Sequence, residues 1–306
     1  MVSKIQIGTV LLLSFSIIFS DWILGKIFEH LYNNSKNYTI RKLNNSINYS
    51  SADIIILGSS RAQHHYIPKI LVNNTGQSVY NCGFGGQGLG FSYIQLRMLT
   101  KRYTPKLVIL DVSPNILLDQ SSDEKMKILT PYARQDTCIL NLLTNGKYYE
   151  RIKYVSNLYL YNSTFVNLIS GLFFKKIDSL DGFIPLHGII DSLNYNYYYI
   201  KQNKIPASKF VYLSKIINLC CSKAIPIIII VSPILYSDDN LNMLINQIKL
   251  FCTAYKNIQF IDDSKFEKTY LRYKKFQDSY HMNYEGAYDF SVEISNYLKD
   301  NNARMR

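Results

Sequence analysis

Regularly spaced cysteines, glycine, proline and acidic charge are what this chain has least of. Its five cysteines (Cys82, Cys138, Cys220, Cys221, Cys252) in 306 residues are an odd number without framework spacing, so no disulfide scaffold is expected. No CxxC pair and no His/Cys cluster appears either, which leaves no metal site and no cofactor to expect. Cys220 and Cys221 adjoin in an apolar, helix-like stretch, where both are expected as small buried residues. Eight prolines and 14 glycines are too few for a collagenous or linker-rich protein. Without a repeat of fixed period, solenoids and propellers are excluded as well. Only 22 acidic residues oppose 34 Lys and Arg, giving a net charge of +12 that favours acidic partners such as anionic glycans or phospholipid head groups. The basic residues are scattered or paired (Lys101-Arg102, Lys175-Lys176, Lys274-Lys275) rather than massed in a run, so no nucleic-acid partner is expected. Hydrophobic residues make up 47% of the chain, enough for a large core and one compact catalytic or binding domain.

One long apolar run stands at the N-terminus. Ile5 to Leu24 is interrupted only by Gln6, Asp21 and a few small polar residues, and is close to the roughly 20 residues that span a bilayer. Lys4 precedes it, while Asp21 and Trp22 fall near the far end, where charges and aromatic anchors meet the interface. Residues 1–32 therefore read as an uncleaved signal anchor that attaches the chain to a membrane and leaves the remainder extracytoplasmic, periplasmic or at the cell surface. A cleaved signal peptide and a buried core helix are the alternatives. Residues 33–51 are rich in Asn, Ser, Tyr and Lys and read as a polar stalk, and 301–306 as a short tail.

Over residues 52–300 short apolar runs alternate with amphipathic stretches. Strands are expected at 53–57, 78–81, 106–112, 226–231 and 258–262, and helices at 61–72, 88–102, 206–223, 240–255 and 284–300. This alternation predicts an α/β domain, a parallel sheet covered by helices on both faces, with functional groups at the carboxyl ends of its strands. Residues 113–205 break the alternation and are expected to form a partly helical, Tyr-rich insertion that shapes or covers the site.

Three strand ends carry chemistry-bearing residues. In Gly58-Ser59-Ser60-Arg61, Ser60 would stand on a tight turn at a helix N-terminus, beside free N–H groups suited to a developing oxyanion; the plainer reading makes Ser59 or Ser60 a helix cap. In NCGFGGQGLG, Gly83, Gly85 and Gly88 match a dinucleotide fingerprint, with Asp111 further on. That fingerprint normally follows the first strand of its unit, not the second, so the glycines fit better as a loop that brings a main-chain N–H to a reacting acyl group. In QDSYHMNYEGAY, Asp278 and His281 lie three apart, a spacing that on a turn lets a carboxylate fix the imidazole tautomer. Serine, base, orienting carboxylate and glycine loop together make up an acyl-transfer site. His64, His65 and His187 are given no catalytic role.

These blocks resemble those of the SGNH hydrolases, the GDSL lipase/esterase family. GSSR is similar to the first block, with Ser60 as nucleophile and Ser59 in place of the usual Asp. FGGQG is similar to the second, with Gly86 as an oxyanion-hole glycine, and DSYH to the last, with Asp278 and His281 completing the triad. The third block departs from the family's Gly-x-Asn-Asp: this chain has DVSPN, where Asn115 is the stand-in for the oxyanion Asn beside the N–H groups of Ser60 and Gly86. The resemblance implies a flavodoxin-like three-layer α/β/α fold. Joined to an N-terminal anchor, it also implies an envelope-type esterase or O-acyltransferase. Such an enzyme would act on acyl groups, often acetyl, of a surface polysaccharide, with an O-acylated carbohydrate or acyl donor as substrate and a membrane acyltransferase as partner. A catalytically degenerate SGNH fold that binds a glycan or assembly partner is the rival in another class.

Overall fold

A computed structural model describes residues 4–118, 121–173, 181–190, 204–235, 239–256, 258–264 and 272–301. In chain order, the first half contains α1 (Lys4–Asn33), α2 (Tyr38–Asn44), β1 (Ile54–Leu57), α3 (Ser60–His65), α4 (Pro68–Thr75), β2 (Val79–Asn81), α5 (Leu89–Leu99), β3 (Leu107–Asp111) and α6 (Pro114–Leu118). Then follow α7 (Thr137–Leu143), α8 (Phe165–Phe173), α9 (Phe210–Ser222), β4 (Ile227–Val231), α10 (Asp239–Thr253), β5 (Ile258–Asp262) and α11 (Tyr284–Asn301). The chain divides into two compact units, one of residues 1–44 with 126–177 and the other of 45–125 with 178–306.

The second unit holds a five-stranded sheet of order β2-β1-β3-β4-β5, parallel throughout. This is the flavodoxin-like order, whose switch point lies between β1 and β3. β1 and β4 are runs of Ile, Val and Leu, β3 is Leu-Val-Ile-Leu ahead of Asp111, and all three are buried along their whole length, as expected of strands covered on both faces. Because successive side chains alternate between faces, Ile55, Leu57, Val108, Leu110, Ile227 and Ile229 pack into one core with α5, α9 and α10. Ile54, Ile56, Leu107, Ile109, Ile228 and Ile230 pack on the opposite face with α3, α4 and α11. The three-layer α/β/α arrangement expected from the sequence is thus present, with strand bounds within a residue or so of those expected.

The helix expected over 61–72 is two helices. Pro68 occupies the first turn of α4 and forces Ile67 into an extended conformation (φ −95°, ψ 104°), so α3 stops at His65. Cys220 is buried as expected, but Cys221 is exposed, since adjacent helical positions point about 100° apart. Among the described residues no cysteine is in a disulfide, and burial pushes the thiols of Cys220 and Cys252 up to about 12.

In the first unit, α1 is long and apolar enough to cross a membrane over Ile5–Asn33. The segment expected as a polar stalk is largely helical: α2 is followed by a helical turn at Asn45–Tyr49, and Ile40, Leu43 and Ile47 are buried. Within the expected insertion, residues 126–173 form helices and 3₁₀ turns that pack with the N-terminal segment of the same unit. Phe28 lies against the rings of Tyr161 and Phe165, Tyr32 against those of Tyr132 and Tyr161, and Asn37 donates to Ser170 Oγ at 3.0 Å.

Candidate active site

The serine turn follows β1 directly. Gly58 has φ +140°, and a Cβ there would come within 2.8 Å of both Ala62 Cβ and the Asp111 carbonyl oxygen, so only glycine lets the chain turn here. Ser59 occupies the N-cap position of α3 but its hydroxyl makes no capping bond. Ser60 is the first helical residue, and the opening N–H groups of α3 have no intrahelical partner.

Ser60 Oγ lies 2.8 Å from His281 Nε2, and His281 Nδ1 lies 2.8 Å from Asp278 Oδ2. An ionised carboxylate only accepts, so Nδ1 carries the proton and Nε2 presents its lone pair to the Ser60 hydroxyl. The turn holding this pair is closed by a bridge between Phe276 and Met282 and by Gln277 N–H donating to the His281 carbonyl at 2.9 Å. Asp278 also accepts from the backbone N–H groups of Tyr280 and His281, each at 2.8 Å. Burial alone would raise its pKa, but the hydrogen bond and charge of His281 and these two N–H groups outweigh it and hold Asp278 below the usual carboxylate value. Both side chains remain accessible, His281 at 25% and Asp278 at 49%.

The glycine loop follows β2 and lies against α3. A Cβ on Gly83 would strike the Gln63 backbone nitrogen and Ala62, so the loop can approach this closely only with glycine there. Gly85 N–H donates to Gln63 Oε1 at 2.7 Å, and Gln87 N–H to the Phe84 carbonyl at 3.1 Å. Gly86 takes the left-handed position of that turn, φ +73°. Among the described residues nothing accepts from the Gly86 N–H, and Gly86 is exposed. Asn115 falls in α6, just beyond the end of β3; its side chain lies outside the described residues.

Several residues that the sequence did not mark hold this site together. Asn81 donates from Nδ2 to the Ala62 and Tyr66 carbonyls (2.7 and 3.0 Å) and accepts from Gly83 N–H at 2.9 Å, joining the serine helix to the glycine loop. His65 is buried; its Nε2 accepts from Met282 N–H at 3.1 Å, which leaves Nδ1 as the donor to Ser232 Oγ at 3.0 Å. The neighbour of His281 is therefore fixed to the helix that carries Ser60. Arg61, also buried, donates to Ser232 Oγ and to the Ser232 carbonyl beyond β4. Burial lowers the Arg61 pKa, and the negative charge of Asp111 opposes that shift. Residues 181–190 of the expected insertion also border the site: Ile184 N–H donates to the Gln63 carbonyl, His64 Nδ1–H to the Ile184 carbonyl at 2.8 Å, and Tyr284 N–H to the Leu186 carbonyl. Among the described residues no group of three His, Cys, Asp or Glu is placed to hold a metal ion.

No family model and no curated protein matches the chain. Among solved structures it is similar to an acylhydrolase from Bacteroides fragilis (13% identity over 88% of this chain and 98% of the other, TM-score 0.42). A GDSL-like lipase from Bacteroides thetaiotaomicron is similar at 11% identity, covering 81% and 88% of the two chains, TM-score 0.39. A family two carbohydrate esterase from Clostridium thermocellum, solved with cellohexaose, is similar at 11% identity over 82% of this chain and 64% of its own, TM-score 0.37.

Proposed function

We propose that the chain is an SGNH-type serine enzyme that cleaves or transfers acyl groups, acetyl foremost, on a cell-envelope or surface polysaccharide. The observation that carries this reading is the continuous chain of hydrogen bonds from Ser60 Oγ through the His281 ring to Asp278. A serine hydroxyl is a weak nucleophile near neutral pH unless a base takes its proton during attack. His281 Nε2 is placed to do so, and Asp278 holds the tautomer and stabilises the imidazolium that forms.

In the proposed sequence Ser60 Oγ attacks the ester carbonyl as its proton passes to His281, and the carbonyl oxygen becomes an oxyanion. Backbone N–H groups of Ser60 and Gly86 are the proposed donors to that oxygen, with Asn115 as the side-chain donor. Collapse of the tetrahedral intermediate breaks the bond to the sugar oxygen, which takes the proton back from His281 and leaves acyl-Ser60. Water or a second sugar hydroxyl then repeats these steps, so hydrolase and transferase share every residue named here and differ in the acceptor. The apolar α1 fits a membrane anchor with the α/β domain on the extracytoplasmic side, where an O-acylated glycan and a membrane-bound acyl donor would meet it.

A fluorophosphonate probe tests this reading, because only an activated serine reacts. Labelling that maps to Ser60 and is lost in Ser60→Ala and His281→Ala is expected. A correctly folded chain that takes up no label would instead be a binding protein on this fold.

A further inference from the structure

The first unit carries an apolar surface that the proposed chemistry does not use. Tyr149, Ile152 and Val155, on the 3₁₀ helix Tyr148–Val155, are 67%, 75% and 73% exposed. Residues three apart eclipse one another in a 3₁₀ helix, so these three form one outward-facing line. On a surface facing only water, such a row has nothing to cover it.

Its position relative to α1 is fixed by hydrogen bonds. The Asp21 carboxylate in α1 accepts from the Ser156 hydroxyl, from Asn157 N–H at 2.8 Å and Nδ2 at 3.0 Å, and from Leu158 N–H at 3.1 Å. A Cβ on Gly25, one helical turn further on, would overlap Asn157, so glycine there lets the loop lie directly on the helix. From the other side Arg134 donates to the Tyr154 carbonyl at 2.6 Å and to Asn157 Oδ1 at 2.7 Å. The end of the 3₁₀ helix is thus held at the level of Asp21.

The length of α1 turns that level into a depth. At 1.5 Å per residue, the apolar run from Ile5 to Leu24 covers about 30 Å, the hydrocarbon thickness of a bilayer, and Asp21 lies about 5 Å inside its far end. A carboxylate at that depth needs donors, and the Ser156–Leu158 loop supplies four. Val155, next to Ser156, must lie at the same level.

We infer that residues 148–158 form a collar that dips into the lipid interface around the emerging anchor, with Tyr149, Ile152 and Val155 against the acyl chains just below the head groups. The occupant of this apolar face is the bilayer that α1 enters, since the end of the 3₁₀ helix is hydrogen-bonded at Asp21, within the apolar run, where α1 itself exposes Phe19 and Trp22. This inference rests on reading α1 as a membrane-crossing helix. This stretch of the expected insertion serves here to grip the anchor.

The test uses the full chain in phosphatidylcholine vesicles. In a Trp22→Phe background, Ile152→Trp and Val155→Trp each provide a single fluorophore. Bromines carried near the head-group end of the acyl chains should quench both more than bromines near the methyl end, and aqueous iodide should quench little. In the unsubstituted chain, a lipid with a diazirine on its acyl chain should crosslink to peptide 148–158, a result that needs no variant to fold. Chains that float with the vesicles while both tryptophans are quenched by iodide and not by bromolipid, with no crosslink at 148–158, would overturn the collar and leave the anchor standing. Chains that do not float would overturn the anchor, and the collar with it.

Discussion

Acidification should destabilise the site domain through His65, a residue outside the proposed chemistry. Burial first, then the charge of Arg61 and of the imidazoles His281 and His64, holds its pKa well below the ordinary 6.5. The ring is neutral in the fold and must be, since a protonated Nε2 could not accept from Met282 N–H. In the unfolded chain the same imidazole takes a proton below about pH 6.5. The unfolded state then binds more protons, so this contribution is complete above about pH 6.5 and is lost as the pH falls towards the folded value. Between pH 7.5 and pH 5.5 the loss is on the order of 1 kcal/mol. Asp263 works in the opposite direction: burial, with Glu293 and Asp262 adding to it, pushes its carboxyl up to about 7. It therefore gains stability as the pH falls through 7, and the wild-type profile alone would hide the effect of His65. His65→Gln, which keeps an acceptor and a donor but does not titrate, isolates it, because Asp263 is common to both proteins. Urea unfolding of the full chain in detergent, followed by near-UV circular dichroism at the two pH values, should show wild type losing on the order of 1 kcal/mol more than His65→Gln. Equal losses, or a larger loss in the variant, would refute the buried neutral imidazole.

Two further substitutions probe the turns that present the site. Gln63→Met keeps volume but removes the acceptor for Gly85 N–H, so the Gly86 turn should loosen at about 1 kcal/mol in stability. Aryl-acetate turnover should then fall by up to about 10²- to 10³-fold, the value of one oxyanion donor, and an unchanged kcat would remove Gly86 from that role. Gly58→Ala should cost at least about 2 kcal/mol in urea unfolding, from a disallowed φ together with overlap on Ala62 and Asp111.

Much of the fold was legible because the central strands β1, β3 and β4 are short runs of Ile, Leu and Val, and burial on both faces demands that pattern. The break at Tyr66 and Ile67 was missed, although Pro68 inside the expected helix is the signal for it, since proline cannot sit in an interior turn. The stalk was misjudged for a different reason. Its Asn, Ser and Lys content concealed Ile40, Leu43 and Ile47, which are spaced three and four apart as a helix requires and are all buried. Ser60, Asp278 and His281 could be proposed from sequence because each sits at an expected strand end or turn beside a recognisable neighbour. Gln63, His65 and Asn81 could not, since most of their partners lie 15 to 217 residues away, and nothing local distinguishes a glutamine that accepts from Gly85 N–H from one in water. The grip of Ser156–Leu158 on Asp21 was likewise invisible, because it joins two segments more than a hundred residues apart.

The most direct test of the central proposal is a double-variant cycle on Ser60 and His281, read as aryl-acetate hydrolysis by the full chain. If the two share one proton transfer across their 2.8 Å hydrogen bond, Ser60→Ala and His281→Ala each lose nearly all the enzymatic rate. The double variant should then be no slower than either, and Asp278→Asn should keep a remnant of activity because Asp278 orients the imidazole without accepting the proton. Losses that multiply in the double variant, or a Ser60→Ala chain as active as wild type, would contradict the proposal that these residues form one catalytic unit.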